Sequence, residues 1–180
     1  MVTSAAEERL AGGDAVSLAE ANAVAKVEGA ALPAGLAAGA FVLGTDTLVT
    51  VSGRVMGKPA TAGEAVAMLS SLSGQTHQVV SGVALARTAG WGSRPEITQV
   101  RVASAVTDVV FLALEAAQIE AYVATGEWRG KAGAYAIQGA AGLFVSEVRG
   151  EYSNVVGLPL CLLARMFRES GFDLVRRGWV

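Results

Sequence analysis

The spacing of apolar residues changes along this chain, and the changes mark the predicted elements. Residues 17–31 are rich in alanine, the strongest helix former, and predict a first helix. Thr61 and Glu64 have the spacing of a capping box, in which each side chain can bond to the other residue's backbone. Apolar residues then follow at helical spacing as far as Gly74, a glycine suited to ending a helix. The first half of the chain therefore contains two predicted helices.

Strands are predicted where β-branched and apolar residues dominate. The predicted strands cover residues 40–51 (one strand or two short ones), 78–86, 96–114 (one or two strands) and 143–148. Further helices are predicted over 114–124 and from Pro159 onward, where proline suits the first turn and Gly171 follows the end. Because helices and strands alternate irregularly, we expect an α/β fold with a mixed sheet rather than a simple barrel.

Asp46 lies inside the predicted strand 40–51, between two apolar runs. A carboxylate in that position is costly unless it is paired or bound to a metal. Lys58 follows at short range, which favours a strand that delivers charged groups to a cleft. Two plainer interpretations remain open: Asp46 could be a turn or capping aspartate, and Lys58 a solvated lysine after a strand.

Composition bounds the class of protein. A chain of 180 residues with 52% hydrophobic residues and a mean hydropathy of +0.45 can build the core of one domain. A net charge of −2 argues against non-specific binding of nucleic acid. No apolar stretch reaches the roughly 18 residues that cross a bilayer, and the charged N-terminal segment fits neither a signal nor a transit peptide. We therefore expect a cytoplasmic protein with no nucleic-acid or membrane partner.

The single cysteine and the single histidine are predicted to be structural. Cys161 permits no internal disulfide and fits a reducing compartment. Because it lies in the apolar run 158–163, we expect a buried, unreactive thiol. His77 has no second histidine or cysteine at the spacing of metal ligands.

Lys131 follows the glycine-rich segment that starts at Gly126 and includes Gly130. The segment is similar to a phosphate-binding loop but lacks one residue between the glycines and has Ala132 in place of Ser or Thr. It offers either a lysine on a backbone that a ligand can approach closely, or only a turn.

Seven short segments follow one another in order along the chain. They are Gly44–Val49, Gly57–Pro59, Ser73–Val79, Thr107–Phe111, Tyr122–Glu127, Lys131–Gly139 and Asn154–Pro159. Each is weak alone, but as an ordered set over roughly residues 7–170 they resemble the Maf family of nucleoside triphosphate pyrophosphatases. The Lys131–Gly139 segment resembles the branch of the family that acts on dTTP and UTP.

The resemblance implies an architecture and a reaction. The implied fold is that of the inosine-triphosphate pyrophosphatases: an elongated, twisted, mixed α/β sheet flanked by helices, with two lobes and a central cleft. A single Maf-like domain would span residues 1–180 and hydrolyse a nucleoside triphosphate to the monophosphate and pyrophosphate. The resemblance also implies a divalent cation, Mg²⁺ or Mn²⁺, and a possible homodimer.

The resemblance assigns roles to individual residues. Asp46 matches the catalytic aspartate that activates water and faces the metal. Lys26 and Lys58 match lysines that face the phosphates, and Lys131 is a further candidate for substrate binding. Thr47 and Gln138 match positions tied to base selection. An amide such as Gln138 offers both a donor and an acceptor, which suits the edge of uracil or thymine.

The chain departs from the family at its N-terminus. The family opens with a strand and a loop that carry a phosphate-binding Ser…Arg-Arg signature, which this sequence lacks. The family's early acidic residue near the metal matches Glu7 or Glu8, and the spacing to Lys26 favours Glu7. A lost strand would leave a sheet edge unpaired. We therefore expect an N-terminally truncated dTTP/UTP pyrophosphatase; the alternative is a catalytically impaired, nucleotide-binding or regulatory relative.

Overall fold

Five α-helices and seven strands make up the part of the chain that the computed structural model describes, which is residues 4, 6, 8–89 and 96–180. The helices are α1 (Ala15–Glu28), α2 (Ala62–Leu72), α3 (Ala116–Thr125), α4 (Tyr152–Val156) and α5 (Leu160–Glu169). The strands are β1 (Phe41–Val51), β2 (Arg54–Met56), β3 (Thr76–Ala89), β4 (Glu96–Phe111), β5 (Val145–Arg149), β6 (Phe172–Asp173) and β7 (Gly178–Trp179). Two short 3-10 turns, Ala132–Ala134 and Ala140–Phe144, precede β5.

Five of the strands form one sheet in the order β2–β1–β3–β4–β5. The α/β class with helices packed on a sheet is confirmed. Every neighbouring pair of strands in this sheet is antiparallel, however, so the expectation of a sheet with both parallel and antiparallel pairs is wrong. The physical reason is that β1 returns into β2 through the turn at Ser52 and Gly53, and β3 is followed directly by its neighbour β4. Each such return reverses the strand direction.

Helix α1 lies close against the middle of β1 and β3 because two glycines leave room for it. A Cβ atom at Gly44 of β1 would lie 2.5 Å from the carbonyl oxygen of Ala23 in α1. A Cβ atom at Gly82 of β3 would overlap the backbone of Ala19. Neither position can hold a larger residue without moving the helix. The inner face of α1 is therefore held against the strand that carries Asp46.

The other apolar side chains of the sheet are covered by α2, α3 and α5. Helix α5 packs Leu162, Leu163 and Met166 against β3. A larger buried cluster joins β1, β3 and β4 to α2 and α3. Cys161 is exposed, so the prediction of a buried thiol is wrong. The leucines and Met166 occupy the inner face of α5, and Cys161 points the other way.

Most predicted elements occur with shifted ends. Both stretches left open as one or two strands are single strands, β1 and β4. The Thr61 hydroxyl accepts a hydrogen bond from the Glu64 amide as predicted, while the Glu64 carboxylate accepts from the amide of Ala60 rather than of Thr61. Gly74 follows α2 with a φ of +67°, the conformation of a helix-ending glycine. No described helix has both the length and the apolar character that crossing a bilayer requires.

Among the described residues, no strand pairs with most of the outer edge of β1. Within the described residues, β2 pairs only with the last three residues of β1. The Ala40 carbonyl, just before β1, accepts from the Thr88 amide at 2.9 Å. Because hydrogen-bonded positions alternate along an antiparallel strand, the even-numbered residues of β1 bond to β3 and the odd-numbered residues direct their N–H and C=O groups to the outer edge. One of these outward groups, the Thr45 carbonyl, accepts a hydrogen bond from Lys26 Nζ at 3.1 Å.

Candidate functional site

A cavity of about 220 Å³ lies between β1, α1 and the loop that follows α3. All three lysines of the chain, Lys26, Lys58 and Lys131, line this cavity. Asp46 lies among them. Because these lysines come from distant parts of the sequence, their convergence is a property of the fold, and it indicates a site for an anionic ligand.

The rest of the cavity wall is largely apolar. The apolar side chains that line it are Val49, Val79, Ala132, Tyr135, Val155 and Val156. The cavity thus offers cationic groups and an apolar surface to the same ligand. This combination suits an amphipathic molecule with a charged part and a flat or apolar part.

The Asp46 carboxylate is buried, with a side-chain exposure of 1%, and both of its oxygens are bonded. Oδ1 accepts from Lys26 Nζ at 2.6 Å, and Oδ2 accepts from Asn22 Nδ2 at 2.8 Å. These partners offset the cost of removing the charge from water. Burial alone would lower the pKa of Lys26, but hydrogen bonds and charge attraction from Asp46 and Glu8 raise it. Lys26 is therefore held in its charged form.

Glu8 joins two of the lysines. Its Oε1 accepts from Lys26 Nζ at 2.8 Å and also from Lys58 Nζ. Burial would raise the pKa of Glu8, but the hydrogen bonds and positive charges of the two lysines outweigh it and hold this pKa at about 2. The favoured match to the family's early acidic residue, Glu7, lies outside the described residues. Glu8, the second match, is the carboxylate that reaches this site.

Thr47 is connected to a buried polar network. Its Oγ1 lies 2.8 Å from Ser81 Oγ, and the Ser81 hydroxyl donates to the Asn154 carbonyl at 3.4 Å. The Asn154 amide nitrogen donates in turn to Thr107 Oγ1 and to the Val79 carbonyl, both at 3.0 Å. Asn154 is a buried support behind the cavity and not part of its lining.

The structure brings together most, but not all, of the residues proposed from the sequence. The five that share the cavity are Lys26, Asp46, Thr47, Lys58 and Lys131. Lys131 is exposed and forms no ion pair within the described part of the chain. Gln138 is also exposed but is not among the described residues that line the cavity.

His77 is structural in this fold. It is 1% exposed, and its Nε2 lies 2.9 Å from the Tyr135 hydroxyl. Burial lowers the pKa of His77 to about 4, so the ring is neutral near pH 7. Because its hydroxyl is bonded to His77, Tyr135 contributes mainly its ring to the cavity wall.

Sequence reasoning missed Asn22, which contacts Asp46 directly. The signal was present: Asn22 lies one helical turn before Lys26 in an alanine-rich helix, so both side chains share one face of α1. A polar residue on an otherwise apolar inner face needs a buried partner. The sequence alone does not identify that partner as Asp46.

Asp46, which lines the cavity, and Glu8, which bonds to two of its lysines, are compatible with one divalent cation. No cluster of three or more histidine, cysteine, aspartate or glutamate side chains occurs among the described residues. Glu8 and Asp46, however, lie 2.8 and 2.6 Å from the same Lys26 nitrogen, so their oxygens are close to each other. Mg²⁺ is commonly bound by one or two carboxylates together with substrate phosphates. The donor set therefore fits such an ion in the presence of a phosphate-bearing ligand.

Comparison with known proteins gives a consistent result. The sequence pattern of the family described as Maf-like protein matches residues 1–170. A protein named dTTP/UTP pyrophosphatase from Pelotomaculum thermopropionicum is 45% identical over 146 residues, which is 81% of this chain and 73% of the relative. A protein of the same name from Agrobacterium fabrum is 45% identical over 141 residues, covering 78% of this chain and 64% of the relative. The chain thus matches between 64% and 73% of the length of these two relatives.

Proposed function

This chain belongs to the family of Maf-like proteins, and from that premise we propose that it is a nucleoside triphosphate pyrophosphatase. The proposed reaction hydrolyses dTTP or UTP to the nucleoside monophosphate and pyrophosphate. The observation that carries the proposal is that all three lysines and Asp46 line one cavity whose wall also has apolar side chains. Relatives named dTTP/UTP pyrophosphatase supply the nucleotide class.

The charges in the cavity suit a triphosphate together with a cation. A nucleoside triphosphate carries about four negative charges, which positive groups must offset. Lys26 and Lys58 are partly neutralised by Glu8 and Asp46, which leaves Lys131 as the lysine without a carboxylate partner among the described residues. We propose that Asp46 and Glu8 hold Mg²⁺ or Mn²⁺, which would supply the remaining positive charge when bound.

Asp46 is proposed to orient the attacking water and accept its proton. A general base of this kind typically contributes 10²–10⁴-fold to a reaction rate. The two donors on Asp46, from Lys26 and Asn22, hold the carboxylate in one orientation toward the cavity. Lys58 and Lys131 are proposed to bind phosphate oxygens.

The apolar wall is proposed to receive the pyrimidine and the sugar. Val49, Val79 and Tyr135 offer a surface against which a flat ring can pack. Thr47 also lines the cavity, and its hydroxyl is proposed to exchange a hydrogen bond with the base. Base reading by Gln138 remains a prediction of the resemblance, because Gln138 lies on the exposed surface.

A second candidate function is nucleotide binding without efficient turnover. The observation that favours it is the outer edge of β1, most of which pairs with no strand in the part of the chain that the structure describes. This edge adjoins Lys26 and lines a second, larger groove of about 690 Å³. A phosphate region with an open side would bind its ligand less firmly and exclude water less well.

We further propose, from the resemblance and the composition, a cytoplasmic location and a homodimer.

One experiment separates the two functions. Purified protein is incubated with dTTP, UTP, CTP and 7-methyl-GTP in Mn²⁺ or Mg²⁺, and released pyrophosphate is measured. Calorimetry with a non-hydrolysable UTP analogue is run in parallel. Release from dTTP and UTP above CTP supports the enzyme; binding without release supports the second candidate. Neither binding nor release would reject both.

A further inference from the structure

We propose that Asn22 is a positioning residue that fixes Asp46 and the segment carrying Glu8 in one hydrogen-bonded network. The proposal rests on the pyrophosphatase function proposed above. The side-chain amide of Asn22 makes three hydrogen bonds, one to Asp46 in the cavity and two to the backbone of Arg9, the residue after Glu8. Asn22 itself would not touch the reacting atoms.

The position of Asn22 calls for an explanation. It is 2% exposed, on the inner face of a helix whose other buried residues are mainly alanine, leucine and valine. Asparagine is a weaker helix former than alanine or leucine, and a buried amide is costly unless it is bonded. A leucine or alanine would suit helix packing alone, so the hydrogen bonds account for the asparagine.

The first contact of Asn22 orients the catalytic carboxylate. Its Nδ2 donates to Asp46 Oδ2 at 2.8 Å, while Lys26 Nζ binds the other oxygen, Oδ1. Asn22 and Lys26 are one helical turn apart, so a single rigid helix supplies both donors. Two donors on two different oxygens restrict rotation of the carboxylate, which a single ion pair would not do.

The second contact holds the chain segment next to Glu8. Asn22 Oδ1 accepts from the Arg9 amide at 2.8 Å, and Asn22 Nδ2 donates to the Arg9 carbonyl at 3.0 Å. These reciprocal bonds fix the backbone of Arg9 on both sides, although residue 9 is exposed overall. Glu8 is the residue immediately before Arg9, and its carboxylate accepts hydrogen bonds from Lys26 and Lys58.

Asn22 therefore sets the relation between the Asp46 carboxylate and the segment that carries Glu8. Without it, Asp46 keeps its strand and its ion pair, but Oδ2 loses its donor and the Glu8 segment loses its two backbone anchors. A displacement of about 1 Å in a catalytic group can cost on the order of 10²-fold in rate. The predicted defect is in kcat, with little change in KM, because Asn22 is not among the residues that line the cavity.

The test uses two variants and a matched control. Asn22→Leu keeps the approximate size of the side chain and removes every hydrogen bond. Asn22→Asp keeps the shape and the acceptor for the Arg9 amide, but it loses both donors and places a second carboxylate beside Asp46. Ala21→Leu, at the exposed neighbouring position of α1, controls for a leucine substitution in the same helix.

Three measurements are made on each variant: hydrogen exchange of the Arg9 amide, Mn²⁺ affinity without nucleotide, and kcat and KM for UTP. We expect Asn22→Leu to speed Arg9 exchange by at least about tenfold, to weaken Mn²⁺ binding about tenfold, and to lower kcat by about 10–100-fold. Asn22→Asp should lower kcat comparably while keeping most of the Arg9 protection. Ala21→Leu should resemble the wild type throughout.

Unchanged Arg9 exchange in Asn22→Leu would overturn the proposal, as would a folded Asn22→Asp variant with wild-type kcat. If the wild type hydrolyses no nucleotide, the proposed function fails, and the exchange and Mn²⁺ measurements still decide whether Asn22 anchors the two carboxylates. If Asn22→Leu does not fold, Asn22→Asp decides the question: a purely structural role predicts that its kcat is normal once it is folded.

Discussion

His77 makes the stability of this protein depend on pH in a narrow and testable window. The folded protein holds the pKa of His77 at about 4 because the ring is buried, whereas an unfolded chain would titrate near the ordinary value of 6.5. Between these two values the unfolded state binds the proton and the folded state does not. The stabilising effect of the neutral ring is therefore complete above pH 6.5 and is lost as the pH falls toward 4.

The magnitude follows from the two pKa values. Lowering the pH from 7 to 5 should reduce the free energy of unfolding by about 2 kcal/mol. His77 is the only histidine in the chain, and carboxylates of ordinary pKa stay mostly ionised between pH 7 and 5. The assay is urea unfolding followed by tryptophan fluorescence at pH 7, 6 and 5 and constant ionic strength.

The matched variant is His77→Gln, which can still bond to the Tyr135 hydroxyl but does not titrate. It should be less stable than the wild type at pH 7, and its free energy of unfolding should change by less than about 0.5 kcal/mol between pH 7 and 5. A wild type with equal stability at both pH values would refute the reasoning. So would a His77→Gln variant with the wild-type slope.

Three further predictions concern packing and the cavity. Gly82→Ala should destabilise the protein by about 3 kcal/mol in urea unfolding, because the new Cβ atom would overlap the backbone of α1. Gly63→Ala is the control and should change stability little, because no atom lies within 3.9 Å of a Cβ at that position. Lys131→Met should raise KM for UTP about tenfold with a smaller effect on kcat. The Lys131 ammonium has no carboxylate partner in the described structure, so its charge is available to bind a phosphate. An unchanged KM would show that Lys131 does not contact the substrate. Gln138→Ala should leave the ratio of UTP to CTP hydrolysis within about twofold, and a larger change would show that the loop brings Gln138 to the base.

Regular patterns made much of the fold predictable. The alanine-rich helix, the capping residues at Thr61 and Glu64 and the apolar strand around Asp46 are local signals, and each led to an element of the correct type. Strand direction was not local. Strand direction depends on how the chain connects one strand to the next, and an apolar run looks the same in sequence whether its neighbour is parallel or antiparallel. The exposed face of Cys161 was missed for a related reason, since an apolar run does not show which side of a helix meets the sheet.

The cavity was predictable where spacing along the chain carried the signal. Asp46 and Lys58 are close in sequence, and the structure brings both to the cavity. The role of Glu8 could not be decided, because a one-residue choice between adjacent glutamates depends on the path of an irregular segment. Asn22 was visible only as a polar residue in an apolar face. Its partner became evident once α1 was packed on the glycines of the sheet.

Asp46 is proposed above as the catalytic carboxylate of a nucleotide pyrophosphatase. The most direct measurement compares kcat for UTP in Asp46→Asn with kcat in Asp108→Asn, a substitution on β4 away from the cavity. We expect Asp46→Asn to lower kcat by about 10³-fold while the variant remains folded and still binds a non-hydrolysable UTP analogue. Asp108→Asn should keep wild-type turnover. A folded Asp46→Asn protein that hydrolyses UTP at the wild-type rate would contradict the proposed role of Asp46.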